Sequence, residues 1–300
     1  MRMNYHNPVL LNESVDALAI KEDGVYVDVT FGGGGHSREI LSRLGPNGRL
    51  FAFDQDPDAQ RNKIDDERFV LIAENFRFIS RFLRFYGVRK VDGILGDLGV
   101  SSHQFDEASR GFSTRFDGDL DMRMNQKSKI SAYTIVNEYE EKELADILFL
   151  YGELRNSRVL ARTIVDARRD EEIKTSFQLK SVLERHLPKA KEHKILAQIY
   201  QALRIEVNEE LEVLKEFLEQ TPKLLNEGGR LSVISYHSLE DRLVKRYIQN
   251  GLFVGEPEKD VFGNVDVPLK KVGKLIIPTK EEIKENNRAR SAKLRIATPK

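Results

Sequence analysis

The chain has 300 residues, of which 48 are basic and 48 acidic, so its overall charge gives no indication of a polyanionic partner. The absence of cysteine excludes disulfides, zinc–thiolate sites and thiol nucleophiles, and it is typical of a reducing compartment. No apolar run approaches the roughly 18 residues of a membrane span, and the N-terminal residues lack the apolar centre of a signal peptide. We therefore expect a soluble, cytoplasmic protein with a packed core and no membrane partner.

The first predicted strand, over residues 24–30, runs into four consecutive glycines at 32–35. Residues 37–44 follow with apolar positions at helical spacing. A strand, a glycine loop and a helix in this order can form a cofactor pocket, because residues without Cβ let the backbone approach a ligand. Ser37 stands where the G-x-G-x-x-G dinucleotide fingerprint would need a third glycine, which favours a cofactor without a pyrophosphate. A glycine-rich turn that only connects two elements is the alternative.

Further short apolar runs predict buried strands at residues 49–54, 69–73, 91–97 and 229–236, with helical patterns between most of them. This alternation predicts an α/β fold with a mostly parallel, doubly wound sheet. More than 130 residues separate the last two strands, whereas a crossover helix needs about 10–15. We expect an all-helical insert at 106–204 within a discontinuous domain of residues 1–105 and 205–300. A crossover helix at 209–225, ended by the residues 226–229, would return the chain to the sheet.

Three predicted strands end in an acid: Asp28, Asp54 and Asp97. Ligands of open α/β sheets bind outside the carboxyl ends of the strands. Asp54 follows the glycine loop by about 20 residues, a distance typical of a carboxylate that binds a cofactor ribose. The alternative for Asp54 is a capping role, for which Asp56 before Pro57 competes. Asp97 lies where a substrate amine could donate a hydrogen bond to it.

Eight ordered segments resemble the MraW, or RsmH, family of S-adenosylmethionine-dependent methyltransferases, which modify N4 of a cytidine in bacterial small-subunit ribosomal RNA. The segments are 7–13, 30–37, 92–102, 110–113, 120–124, 201–205, 235–242 and 288–295. The resemblance implies a class I, Rossmann-like methyltransferase sheet with a helical insert, and S-adenosylmethionine as cofactor. We expect the insert to recognise the substrate. The resemblance places Gly34, Gly35 and His36 around the methionine part of the cofactor and Asp54 on its ribose. It places Phe76 beside the adenine, Asp97 near the adenine and the reactive centre, and Gln104 in the same pocket. From the residues alone, Phe76 would be assigned to the core.

Methyl transfer to an exocyclic amine requires a hydrogen-bond acceptor that localises the nitrogen lone pair. Our hypothesis gives this role to Asp97, with Tyr236 and His237 holding the base or moving its proton. Amino methyltransferases of DNA commonly have prolines and an aromatic residue after the acid, whereas Leu98 follows here. The residue that clamps the base is therefore not identified, and its candidates are Phe112, Phe116, Tyr236 and His237. The alternative for residues 235–242 is a plain helix start capped by Ser238.

Arginines at 155, 158, 162 and 169 fall within one arc of a predicted helix, and Arg158 and Arg162 are the predicted phosphate contacts. Residues 268–300 contain ten Lys or Arg against three Glu, a net charge of +7. A solvated helix face and an unfolded charged terminus are the alternatives. We expect small-subunit ribosomal RNA, within an assembled or late-assembling 30S particle, as the partner, and neither DNA nor a metal ion. An S-adenosylmethionine-binding assembly factor without turnover and an NAD-type oxidoreductase are the competing functions.

Overall fold

The computed structural model describes residues 8–258, 261–263 and 265–300. The chain divides into two compact units. One contains the described residues up to Gly99 and those from Leu211 to Lys300, and the other runs from Val100 to Glu210. Within the described ranges, no helix has both the length and the apolar character needed to span a membrane.

A seven-stranded sheet lies in the first unit, counted over the described residues. Its strands are β1 (Val25–Asp28), β2 (Arg49–Phe53), β3 (Phe69–Ile72), β4 (Val91–Asp97), β5 (Leu225–Ser235), β6 (Leu269–Ile276) and β7 (Lys293–Pro299). The order across the sheet is β3-β2-β1-β4-β5-β7-β6. The pairs among β1 to β5 are parallel, and β7 is antiparallel to both of its neighbours. The predicted α/β class and mostly parallel sheet are confirmed.

The α-helices of the described residues alternate with the strands only in the first unit. In chain order they are α1 (Leu11–Asp16), α2 (Gly35–Arg43), α3 (Ile79–Phe85), α4 (Ser102–Asp106), α5 (Ala132–Glu138), α6 (Glu141–Leu150), α7 (Ser157–Arg168), α8 (Ser176–Leu183), α9 (Glu192–Asn208), α10 (Glu210–Leu224), α11 (Ser238–Asn250) and α12 (Lys280–Glu285).

Both faces of the sheet are buried along its central parallel strands, which explains why these strands are nearly continuous apolar runs. Val27, Phe51 and Phe53 pack on one side, in a cluster that includes residues of α3, α10 and α11. Tyr26 and Leu50 point to the other side, in a cluster with residues of α1 and α2. Successive strand residues face opposite sides, so each of β1 to β4 supplies side chains to both clusters.

The second unit has its own hydrophobic core, to which α5 to α9 contribute. Within its residues, all of which are described, the β-structure is one isolated bridge between Asp119 and Thr175. The arrangement agrees with the helical periodicity of this segment, in which apolar residues recur every three to four positions. We retain the role of substrate recognition for this unit as a proposal.

Two details of the predicted fold were wrong. Residues 226–229 do not end a helix, because β5 already begins at Leu225 and includes them; Gly228, at φ 73°, lies where the pairing with β4 is irregular. The alternative of an unfolded charged terminus was also wrong, because the tail forms β6, α12 and β7. Lys293 and Arg295 of this tail hydrogen-bond to the carboxylate of Asp241, which partly neutralises the charge.

Candidate functional site

Three acids lie at the carboxyl edge of the parallel strands, as the sequence predicted. Asp28 and Asp97 are the last residues of β1 and β4, and Asp54 directly follows the last residue of β2. Since β1, β2, β4 and β5 are parallel neighbours, Tyr236, which follows β5, belongs to the same edge. Four separate chain segments therefore contribute polar side chains to one edge of the sheet.

The glycine loop between β1 and α2 needs its glycines for both conformation and space. Gly32 and Gly34 have φ of 50° and 77°, in the left-handed region. A Cβ on Gly34 would lie 2.9 Å from the Phe31 ring, and one on Gly35 would lie 2.2 Å from Cγ of Pro8. The loop leads into the N-terminus of the nine-residue helix α2, whose N–H groups and positive dipole end suit a carboxylate.

Ser37 occupies the position that distinguishes this loop from a dinucleotide fingerprint, and its side chain is used structurally. Its Oγ donates to Oδ2 of the fully buried Asp28 at 2.7 Å, and the Thr30 N–H donates to Oδ1 at 3.0 Å. Burial raises the pKa of Asp28, while His36 and the Ser37 hydroxyl partly offset the rise. Ser37 thus links the first turn of α2 to the end of β1, which a glycine could not do.

Asp54 supports the glycine loop from the neighbouring strand. Its Oδ2 accepts from the Gly32 N–H at 2.7 Å, and its Oδ1 accepts from the Asp56 N–H at 2.8 Å. Asp56 itself caps the short 3₁₀ helix Pro57–Asn62, so the capping role belongs to Asp56 and not to Asp54. Burial raises the pKa of Asp54 to about 7, although the two N–H groups favour its ionised form. Each carboxylate oxygen can accept more than one hydrogen bond, so ribose hydroxyls could still bind Asp54.

Phe76 lies just after β3, half-buried, and opens a short 3₁₀ helix that Asn75 caps. Its ring packs edge-to-face on Phe217 with centroids 5.3 Å apart, so the core role inferred from the residues alone is partly present. Asn75 also donates to Oε1 of Gln55, two positions after the end of β2. An aromatic side chain that is only half-buried at this point can form the wall of an adenine pocket, which stays a proposal.

Asp97 and Tyr236 are in direct contact although 139 positions separate them. The Tyr236 hydroxyl donates to Asp97 Oδ1 at 2.7 Å, and Nδ1 of His36 lies 3.9 Å from Oδ2. The Asp97 N–H donates to the Thr30 hydroxyl at 2.6 Å, which joins β4 to the glycine loop. Burial raises the pKa of Asp97 to about 6, with His36 and Tyr236 opposing the rise. Burial and the Asp97 carboxylate raise the pKa of Tyr236 well above its usual value, so Tyr236 remains a protonated donor.

His36 is buried on the first turn of α2, where its Nε2 lies 3.3 Å from the Val9 carbonyl oxygen. When Nε2 donates to that carbonyl, a neutral ring presents the lone pair of Nδ1 to Asp97. His36 therefore lies between the Val9 carbonyl and the Asp97 carboxylate, with Nδ1 3.9 Å from Oδ2 of Asp97.

His237 caps α11, whereas Ser238, the predicted cap, is the first residue of that helix. Nδ1 of His237 accepts from the Glu240 N–H at 3.4 Å, and its Nε2 lies 3.1 Å from Glu240 Oε1 at an orientation that forms no hydrogen bond. The other oxygen of Glu240 accepts from the Tyr236 N–H at 2.9 Å and the His237 N–H at 3.3 Å. The buried Glu240 therefore fixes the backbone that presents both predicted site residues, and the sequence reasoning missed it. The His-x-x-Glu spacing of a capping box was its available signal.

Five predicted site residues lie in the second unit: Gln104, Phe112, Phe116, Arg158 and Arg162. Gln104 is buried in α4, where its Oε1 accepts from the Ser101 N–H in a capping box. Phe116 is 51% exposed and is available to a ligand. The prediction that Phe112 clamps the base was wrong. Its ring is buried in the core of this unit, with the Arg110 guanidinium 5.8 Å from the ring centre, so it cannot contact a base without leaving the core.

The arginine stripe is exposed on α7 and the residues flanking it. Arg169 pairs with Asp166 at 3.0 Å, as the solvated-face alternative implied. Arg158 and Arg162 have no ion-pair or hydrogen-bond partner among the described residues. Val159, next to Arg158 in the chain, is half exposed on the same helix. Both arginines stay proposed phosphate contacts.

The strand order 3-2-1-4-5-7-6 with β7 antiparallel, together with a glycine loop and acids at the carboxyl edge, defines a class I methyltransferase fold with a nucleoside-cofactor site. Comparison with known proteins then identifies the family. The model of the MraW methylase family matches residues 3–300, and the chain belongs to this family.

Several relatives are similar along nearly their whole length. Ribosomal RNA small subunit methyltransferase H of Christiangramia forsetii is 69% identical over 295 residues, 98% of each chain. The protein of the same name from Flavobacterium johnsoniae has the same identity and coverage. That of Bacteroides fragilis is 56% identical over 297 residues, 99% of this chain and 98% of its own.

Proposed function

We propose that this protein transfers a methyl group from S-adenosylmethionine to the exocyclic N4 of a cytidine in the decoding region of small-subunit ribosomal RNA. Its family and the names of its relatives support this function. The observation that supports the chemistry is the contact between Asp97 and Tyr236 beside the glycine loop. We place the reaction on an assembled or late-assembling small subunit in the cytoplasm.

The residues present fit S-adenosylmethionine. A Cβ at Gly34 or Gly35 would clash with Phe31 or Pro8, so both positions require glycine, and the N-terminus of α2 suits a carboxylate. Asp54 offers a carboxylate to ribose hydroxyls, and Phe76 offers an aromatic edge to adenine. S-adenosylmethionine supplies an electrophilic methyl group on a sulfonium, which departs as a neutral thioether.

Asp97 is the proposed catalytic residue. The cytosine amine is a weak nucleophile because its lone pair is delocalised into the ring, and a carboxylate that accepts one amine N–H localises that lone pair. As the nitrogen–carbon bond forms and the sulfur–carbon bond breaks, the nitrogen must lose a proton. With a pKa of about 6, Asp97 is mostly ionised at neutral pH and can accept it.

Tyr236 and His237 are proposed to position the carboxylate and the base. The Tyr236 hydroxyl donates to Oδ1 of Asp97, which leaves Oδ2 for the amine. Because the pKa of Tyr236 is raised, this hydroxyl stays protonated and does not act as the base. His237 is anchored by its capping contact with Glu240, so its ring has a fixed orientation.

The test is methyl transfer from labelled S-adenosylmethionine to small ribosomal subunits that lack the modification, followed by nucleoside digestion and mass analysis. We expect N4-methylated cytidine. No label in RNA, with cofactor binding intact by calorimetry, would instead support an assembly factor without turnover. Binding of NAD in place of S-adenosylmethionine would support the oxidoreductase.

The Asp97→Asn variant tests the mechanism. We expect its kcat to fall roughly 10²- to 10⁴-fold while cofactor affinity changes little. Asp92→Asn is the matched control, since Asp92 is at the opposite end of β4, where it accepts from the Val25 N–H and from Lys21. Full activity of Asp97→Asn at saturating cofactor would show that the acceptor role is wrong.

A further inference from the structure

A groove on the first unit lies between α11, β6 and β7. Four cations line it, and we call it the basic groove: Lys245, Lys271, Lys274 and Arg295. Its remaining lining is mostly aliphatic: Ile248, Gln249, Val272, Leu275 and Ile296. The three lysines are exposed, and none has an ion-pair or hydrogen-bond partner in the part of the chain that the structure describes.

Within α11, β6 and β7, all of whose residues are described, acids do not neutralise the groove. The three elements that form it contain eight Lys or Arg and two acids, Glu240 and Asp241, a net charge of +6. Glu240 is buried in the cap of α11. Asp241 binds Arg295 Nε at 2.7 Å and Lys293 Nζ at 3.1 Å, so it holds the Arg295 guanidinium in place at the groove wall.

An irregularity in β6 places two of the lysines in the same groove. In a regular strand, Lys271 and Lys274 would face opposite sides, because side chains alternate. The register with β7 shifts between Val272 and Ile276, and Gly273 within this stretch has φ 65°. A bulge with glycine in the left-handed conformation redirects the following side chains. The fold therefore uses an irregular strand to gather positive charge.

We propose that the basic groove binds backbone phosphates of the RNA substrate, an inference that rests on the proposed function. Unpaired lysines and an anchored arginine are the groups that contact phosphates. Among the described residues that line the groove there is no aromatic side chain on which a base could stack, so the groove would contact backbone without reading sequence. Lys245 lies eight residues after His237 along α11, about 12 Å of helix, so a short span of RNA connects the two places.

The first experiment compares two triple variants of the full chain in binding a fluorescent oligouridine at several salt concentrations. The groove variant is Lys245→Gln, Lys271→Gln, Lys274→Gln. The control, Lys223→Gln, Lys280→Gln, Lys284→Gln, removes the same charge from exposed lysines outside the groove lining. Each phosphate contact in a single strand contributes about 0.7 to the salt slope, so the groove variant should lower it by about 2. Equal slopes for the two variants would overturn the proposal.

A charge-preserving variant separates the groove from net charge. Gly273→Ala has open space around its Cβ but a strained φ, so it should disturb the bulge and weaken RNA binding at constant charge. Unchanged S-adenosylmethionine affinity by calorimetry would show that the variants are folded.

On small ribosomal subunits the groove variant should raise KM at unchanged kcat. If the wild type methylates but KM is unaffected, the groove proposal fails; if the wild type does not methylate, the proposed function fails. If the groove variant lost binding to vesicles of phosphatidylcholine and phosphatidylglycerol but kept its binding to RNA, RNA would not be the occupant of the groove.

Discussion

The Tyr236→Phe substitution tests whether the ionisation of Asp97 controls the reaction. The change deletes the hydroxyl that donates to Asp97 Oδ1 at 2.7 Å and leaves the ring in place. A hydrogen bond to a charged group contributes about 1.5–3 kcal/mol, equivalent to about 1–2 pKa units. Since the Asp97 side chain is 23% exposed, water can replace part of the lost bond, and we expect a rise of about one unit.

This rise has a defined effect on the pH profile of kcat/KM. With the pKa of Asp97 moving from about 6 to about 7, the ionised fraction falls about fivefold at pH 6 and about twofold at pH 7, with little change above pH 8. The assay is methyl transfer to small ribosomal subunits across this range. Tyr247→Phe is the control, because the Tyr247 hydroxyl has no hydrogen-bond partner among the described residues. A uniform loss at every pH, with the midpoint unmoved, would refute the reasoning.

Three further predictions concern the glycine loop, Asp54 and the arginine stripe. Gly35→Ala should lower the free energy of unfolding by about 1–3 kcal/mol in a denaturant titration, because its Cβ would lie 2.2 Å from Pro8; unaltered stability would show that the loop yields easily. Asp54, with its pKa raised from 3.8 to about 7, binds its proton more tightly when folded, so the free energy of unfolding should fall by up to about 4 kcal/mol between pH 4 and pH 7. Asp54→Asn should flatten this part of the curve, and a curve of unchanged shape would contradict the raised pKa. The double variant Arg158→Glu, Arg162→Glu should weaken RNA binding and reduce the salt dependence of its affinity, at constant cofactor affinity. An unchanged salt dependence would show that the arginine stripe is a solvated helix face that does not contact RNA.

The elements at the carboxyl edge could be predicted because their signals are local. A buried parallel strand is a short apolar run, and a glycine loop followed by helical periodicity needs no knowledge of distant residues. The acids Asp28, Asp54 and Asp97 follow from the ends of those runs. The same reasoning located the long helical segment after β4.

The missed features depend on packing between distant segments or on weak local patterns. In β6, Leu269 is buried but most other residues are exposed, so no apolar alternation marks it. In β7, Leu294 and Ile296 do alternate with Lys293 and Arg295, but the high charge of the tail obscured this pattern. The burial of Phe112 is decided by the surrounding helices, and its immediate neighbours in sequence do not distinguish a core ring from an exposed one.

The bulged, lysine-bearing β6 also bears on self-association of the protein. In the described residues β6 is the last strand of the sheet order, so its outer backbone groups have no neighbouring strand. Exposed strand edges can pair with another chain, and lysines and bulges are the usual protection against this. Lys270, Lys271 and Lys274, with the bulge at Gly273, place both kinds of protection on one eight-residue edge. Neutralising these lysines should therefore increase aggregation on storage, measurable by light scattering, and a fully monomeric triple variant would show that the bulge alone protects the edge.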